Sequence, residues 1–306
     1  PSLVGSEMCI RDRCFAESFS GWTGRQIPNP RSGTRGFTPP VPAAGLYAPR
    51  RRYWTNILAC IRMTDKERFL KLLSLPASEV MVSCGVGTLG EKYLHALLKL
   101  FFEPDKEFRE VRVGRYTADI CRDATITEIQ TRSLDKLREK LDYYLLQGYK
   151  VRVVLPLPHV KRISWIDPKT GEATGWRASW KKGCFYDCFW ELYKIKSFLN
   201  REGVSVCLML IDVQETRWLN GCGRSRKKRS TRIERVPTEL YDILNLESPN
   251  DYSALVPKSL SHRFTAQEYA EFAGISRERA WSGIKILCEA GVIRQDGKDG
   301  ITPQLK

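Results

Sequence analysis

Apolar residues set the first pattern in this chain. Leu94, Leu97, Leu98 and Phe101 recur at helical spacing, which predicts a helix over Thr88–Phe102 with one buried stripe. From Glu107 to Arg132 the chain is instead rich in Val, Ile, Tyr and Thr and is broken at Gly114 and at Asp123-Ala124. That composition predicts three short strands, Glu107–Gly114, Tyr116–Arg122 and Thr125–Arg132. Helical spacing returns at Leu134, Leu137, Leu141 and Leu145, so Ser133–Gln147 is expected to be an amphipathic helix stopped by Gly148. Val151 then opens an apolar strand, and a crossover of this length makes the strands on either side of the helix parallel. The pattern implies an α/β fold, a three-layer α/β/α core on a mixed sheet, over about 80–235.

Further along, Lys161–Ile166 and Gly175–Lys181 read as a hairpin. Its Trp165, Trp176 and Trp180 lie between lysines and arginines and are expected to be core rather than base-stacking. Phe189, Leu192, Ile195 and Leu199 predict a helix over Phe185–Asn200, and the nearly all-apolar Val204–Val213 a strand buried on both faces. Residues 216–235 read as a basic loop, with Arg224, Arg226, Lys227, Lys228 and Arg229 as candidate phosphate contacts. Residues 236–257 read as a linker holding one short helix, Glu239–Leu244. The stretch 258–300 predicts a helix from Thr265, a turn at Gly274, a second helix Arg277–Ala290 capped by Ser276, and a two-strand hairpin around Asp296–Gly300. This order resembles a winged helix-turn-helix domain, which implies nucleic-acid contacts from Arg277, Arg279, Lys285 and Arg294. Residues 63–79 are expected to hold an N-terminal helix capped by Thr64, with Glu67 three residues later.

Composition changes the picture at the start of the chain. Residues 1–62 contain nine Arg and no Lys, are rich in Gly, Pro and Ser, and lack any sustained period. They read as non-native read-through or a disordered basic tail, and SLVGSEMCIRDR resembles translated sequencing-adapter contamination. Setting aside their net +6 leaves about +9 of the formal +15 on residues 63–306, a balance that favours a polyanionic partner. Ten cysteines form no Cys-x-x-Cys pair, and the three histidines stand off ligand spacing from them. That argues against a disulfide framework or a zinc site and for a reducing cytoplasm. No apolar run reaches membrane-spanning length.

The candidate chemistry lies in the meander. A tight hairpin centred on Asp123-Ala124 pairs residues whose numbers sum to 247, so Asp119 faces Glu128. Opposed carboxylates repel. A divalent cation between them would turn that repulsion into a binding site, because hard cations take carboxylate oxygens. Gln130 projects from the same face as Glu128. Upstream, Glu91 borders the buried stripe; Thr88-x-x-Glu91 is a capping box, and the same carboxylate is a candidate ligand.

Helix with Glu91, strand, strand with Asp119, strand with Glu128-Ile129-Gln130, helix, strand: this order resembles the PD-(D/E)XK nuclease superfamily. The segment from about Gly87 to Leu157 is most similar to its Holliday-junction-resolvase and restriction-endonuclease-like branches. The resemblance implies Mg²⁺ (or Mn²⁺) held by Glu91, Asp119, Glu128 and the carbonyl of Ile129, and hydrolysis of DNA phosphodiesters as an endonuclease or exonuclease. Gln130 stands where the family usually has Lys; it supplies no positive charge but can orient a water. A lysine moved to the next helix would replace it, with Lys136 and Lys140 as candidates. DNA is then the expected partner, with no membrane and an oligomeric state left open that includes a homodimer. The alternatives are a non-catalytic DNA-binding regulator on a degenerate nuclease core, and a winged-helix protein-interaction module.

Overall fold

A capping box opens the first described element: the Glu67 amide donates to the Thr64 hydroxyl while the Thr64 amide donates to the Glu67 carboxylate. It opens α1 (Asp65–Leu73), followed by the short α2 (Ala77–Met81) and by α3 (Leu89–Phe102), which buries Leu94, Leu97, Leu98 and Phe101 as the spacing predicts. The computed structural model describes residues 63–81, 89–222, 229–296 and 300–303. Residues 1–62, Thr88, and the basic run Arg224, Arg226, Lys227 and Lys228 lie outside the described residues.

Three antiparallel strands follow, β1 (Arg109–Val113), β2 (Tyr116–Arg122) and β3 (Thr125–Ile129). Asp123 and Ala124 join the last two with positive φ at both positions, the backbone a two-residue hairpin needs. The observed partners, Ile120 with Thr127, Cys121 with Ile126 and Arg122 with Thr125, keep the predicted sum of 247. Ser133–Gln147 begins as a 3₁₀ turn at Leu134–Leu137 and continues as α4 (Arg138–Leu146), with Gly148 at φ 82° beyond its end. The crossover delivers β4 (Lys150–Ile166), parallel to β3, and β5 (Arg177–Ala178) pairs with its outer half. Phe185–Asn200 is not one helix. It is two 3₁₀ stretches around the single turn α5 (Phe189–Leu192), broken at Ile195 while Phe189, Leu192, Ile195 and Phe198 stay buried.

β6 (Val204–Trp218) pairs parallel with β4 and, as expected, is buried on both faces through Val213. The expected linker at 236–257 and its helix Glu239–Leu244 are absent, because Thr231–Leu246 forms a sixteen-residue strand, β7, antiparallel to β6. Three irregularities in that ladder leave Ile233, Thr238 and Tyr241 of β7 without a partner in β6. Each flips the inward parity, so the period of two that marks a strand disappears from the sequence. The expected loop 216–235 is correspondingly short, since both of its ends belong to strands. The result is a mixed seven-stranded sheet of order β1-β2-β3-β4-β6-β7, with β5 on β4.

Helices cover both faces. Ile120, Ile129, Val154, Cys207, Met209 and Val213 pack with α1 and α3; Ile126, Val153, Leu155, Val206 and Leu208 pack with α4 and α5. No helix among the described residues is long and apolar enough to cross a membrane, and the six described cysteines are all unpaired thiols.

The last elements are α6 (Ala266–Ala273), with Gly274 at φ 63° after it, α7 (Arg277–Glu289), β8 (Ile293–Gln295) and β9 (Ile301–Pro303). They do not stand apart as an appended module. Phe264, Tyr269, Ala280, Ile284 and Leu287 share one buried cluster with Phe189, Leu192 and Leu208, and the Tyr269 hydroxyl donates to the Leu255 carbonyl. A Cβ on Gly283 of α7 would come within 2.7 Å of three atoms of the Phe189 ring, and Phe189 is fully buried. Gly283→Ala should therefore cost about 1–3 kcal/mol by overpacking, outweighing the roughly 1 kcal/mol that alanine gains in a helix. The expected result is a single unfolding transition shifted down by several degrees in calorimetry. A raised melting temperature, or a separate transition for the C-terminal elements, would show that this contact is not part of a shared core.

Candidate functional site

The alternation of β2 fails at one residue. Ala118 packs on the α4 side and Ile120 on the α3 side, although residues two apart in a regular strand share a face. Their β1 partners are Val111 and Arg109, and the residue between, Glu110, has φ 55°. A non-glycine residue in that region is strained, and the ladder between β1 and β2 is interrupted there. Asp119, opposite Glu110, consequently turns towards α3.

Three groups meet it. The Ile129 amide donates to Asp119 Oδ2 at 2.9 Å, and His95 Nε2 lies 3.1 Å from the same oxygen and 3.1 Å from the Ile129 carbonyl oxygen. Both neighbours of Nε2 are acceptors, so that nitrogen carries the proton. Lys99 Nζ lies 3.0 Å from Asp119 Oδ1 and 3.0 Å from Glu110 Oε1, with the lysine itself buried. Burial raises the pKa of Asp119, but His95, Lys99 and the Ile129 amide outweigh it and hold the carboxyl at about 2.

Glu128 is compensated separately. Lys140 Nζ lies 3.1 and 3.0 Å from its two carboxylate oxygens, and the Tyr144 hydroxyl donates to Oε1 at 3.2 Å. Lys140 also donates to the Thr117 carbonyl at 2.9 Å. Burial, then the negative charge of Asp119, push Glu128 up to about 7 despite Lys140. The expected bare pair on one sheet face is thus corrected. Asp119 engages α3 and Glu128 engages α4, on opposite faces, yet the charge of one still reaches the other.

Of the other residues singled out in the sequence, Glu91 lies in α3 one turn before His95, and its side chain is outside the described residues. The Gln130 amide donates to the Arg132 carbonyl at 2.7 Å. Lys136 is exposed in the 3₁₀ turn, so Lys140 is the lysine beside Glu128. Arg279 pairs with Asp187. Arg277 and Arg229 are exposed, Lys285 donates to Gln295 at 3.0 Å, and Arg294 pairs with Asp296 at 2.7 Å. Sequence reasoning missed His95, Lys99 and Tyr144. A signal existed: Glu91, His95 and Lys99 recur every four residues beside the apolar stripe of α3. Among the described residues, no three His, Cys, Asp or Glu side chains converge as a metal-binding group.

The raised Glu128 carboxyl has a pH signature. Between its unfolded value near 4.5 and its folded value near 7, the native state holds the extra proton, so stability falls as pH rises through that window. Urea denaturation at pH 5 and pH 8 should show Glu128→Gln gaining on the wild type at pH 8. An identical pH dependence for the two proteins would mean that Glu128 is ionised throughout.

Comparison with known proteins adds the family. A protein of Treponema pallidum (strain Nichols), described as uncharacterized, is 28% identical over 177 residues, covering 58% of this chain and 68% of its own. No solved structure matches. The profile of the family described as "Domain of unknown function (DUF8091)" matches residues 92–247, a span that takes in His95, Lys99, Asp119, Glu128, Lys140 and Tyr144 and ends with β7. The chain belongs to the DUF8091 family.

Proposed function

We propose that this protein is a divalent-metal-dependent DNA nuclease built on a PD-(D/E)XK-like core. One observation carries the reading: Asp119 Oδ2 and the Ile129 carbonyl oxygen converge on a single point, 3.1 Å from each, where His95 places an N–H. Two oxygens aimed at one positive centre, one of them an ionised carboxylate, are the donor set a hard cation takes. Asp119 and the Ile129 carbonyl would be the ligands for Mg²⁺ or Mn²⁺, with His95 giving up the point between them and Glu128 on the other face of the sheet. The antiparallel meander followed by a parallel crossover strand supports the same reading. When bound, the ion would lower the pKa of a water and offset phosphate charge. Lys140 places a cation against Glu128 in the role the family gives to the lysine that Gln130 replaces, and Glu128, near neutrality, can take or release a proton. The C-terminal helix–turn–helix–hairpin would act as a winged helix beside this core.

A second reading has its own observation. Each carboxylate already has a lysine, Lys99 on Asp119 and Lys140 on Glu128, as in a site that has exchanged its metal for internal cations. The protein would then be a non-catalytic DNA-binding regulator.

Asp119→Asn separates the two. In the nuclease reading, Mg²⁺ or Mn²⁺ raises the melting temperature of the wild type through binding to the native state. The variant loses both that rise and any cleavage of plasmid or branched DNA. Without metal the variant should be less stable by about 1–3 kcal/mol, because Lys99 loses a buried partner. A wild type indifferent to either metal, in both melting and cleavage, would favour the regulator.

A further inference from the structure

Past the candidate site the sheet continues without the meander. β3 ends at Ile129 opposite Val154, whereas β4 runs on to Ile166 beside β6 and β7, roughly 40 Å of further strand at about 3.3 Å per residue. This arm leaves from the end of β3 that carries Glu128 and Ile129.

Register places its side chains. Met209, Ile211 and Val213 of β6 pack on the α3 side, so Glu215 and Arg217 lie on that same face, which is also the face of Asp119. Their ladder partners are Ile163 and Trp165 in β4 and Arg235 and Arg232 in β7, and Arg177 of β5 stands opposite Ile163. Glu215 is fully buried and grips two guanidinium groups: Arg217 through Nε at 3.0 Å and Nη2 at 2.6 Å, Arg235 through Nε at 2.7 Å and Nη2 at 2.5 Å. One buried anion thereby orders two cations and leaves the group net positive.

Of the three tryptophans expected to be core, Trp165 is half-buried while Trp176 and Trp180 are exposed, as is Trp218 at the end of β6. Trp180 is 94% exposed, Trp176 50% and Trp218 43%. The connection through β5 that carries Trp176 and Trp180 also exposes Lys169, Arg177, Lys181 and Lys182. Solvent-facing tryptophans interleaved with cations make a surface that suits a partner with its own apolar faces and negative charge. A strand of unpaired nucleotides has both. A duplex hides its base faces within the stack.

We infer that this arm binds single-stranded nucleic acid, the exposed cations Lys169, Arg177, Lys181 and Lys182 taking the backbone phosphates and Trp176 and Trp180 stacking on bases. Binding stands apart from the nuclease reading; that reading is used only for where the strand leads, along the α3-side face towards Asp119.

The test is fluorescence anisotropy in EDTA with labelled oligothymidylate and with a blunt duplex of the same length. Trp176→Ala with Trp180→Ala should weaken oligothymidylate binding by about tenfold or more and the duplex far less. Arg177→Ala with Lys181→Ala should flatten the log–log salt dependence by about 1.4, or 0.7 per lost phosphate contact. All four side chains are exposed, so unchanged melting curves confirm that the variants fold. Unaltered oligothymidylate binding in the tryptophan variant, or equal losses on both nucleic acids, would overturn the inference. Wild-type protein that cleaves DNA with Mn²⁺ yet passes neither binding test would sink the arm and leave the nuclease reading standing. Selective binding by the arm without any cleavage would do the reverse.

Discussion

One part-buried carboxylate organises the fold around it. Asp119 sits where β2 loses its alternation, and a charge in that position must be met by opposite charge and by donors. The helix α3 supplies both through His95 and Lys99, one turn apart, while the backbone of β3 supplies the Ile129 amide. Lys99 is itself buried and depends on Asp119 and Glu110 for compensation. The helix, the first strand, the second and the third are therefore tied through a single side chain. Removing one partner would leave another charge buried and unpaired, an arrangement that costs several times what a surface pair contributes.

The same arrangement gives the site its chemical asymmetry. Two carboxylates lie at the end of one hairpin, but their surroundings separate them: Asp119 is held at about 2 by His95 and Lys99, and Glu128 is pushed to about 7 by burial and by Asp119. One stays an anion at every physiological pH, and the other can exchange a proton. Divergent titration of neighbouring acids is a recurrent property of sites that perform acid–base work. Outside the meander, Glu215 is a fully buried anion held between two cations, there to order guanidinium groups on an exposed part of the sheet.

What was legible in the sequence was local. The Asp123-Ala124 hairpin and its register followed from residues adjacent in the chain, as did the α3 stripe, the crossover to β4, the capping box at Thr64 and the helix from Thr265. In each case the pattern and the structure obey the same short-range rule. β7 was not legible, because three unpaired residues erase its period of two, and its apolar spacing then imitates a helix. The C-terminal elements looked separable because a helix–turn–helix pattern carries no sign of the Phe189 ring that fills the space over Gly283.

The sequence by itself determined which residues carry charge beside the apolar stripes, and hence that Asp119 and Glu128 belong to one hairpin. Tertiary structure alone decided which way they turn. The reversal at Asp119 depends on the left-handed backbone of Glu110, nine residues earlier on another strand, and on a lysine and a histidine from a helix that precedes both. Side-chain direction in a strand follows parity until a distant contact offers a buried charge a better partner. Which contact wins is a property of the packed molecule.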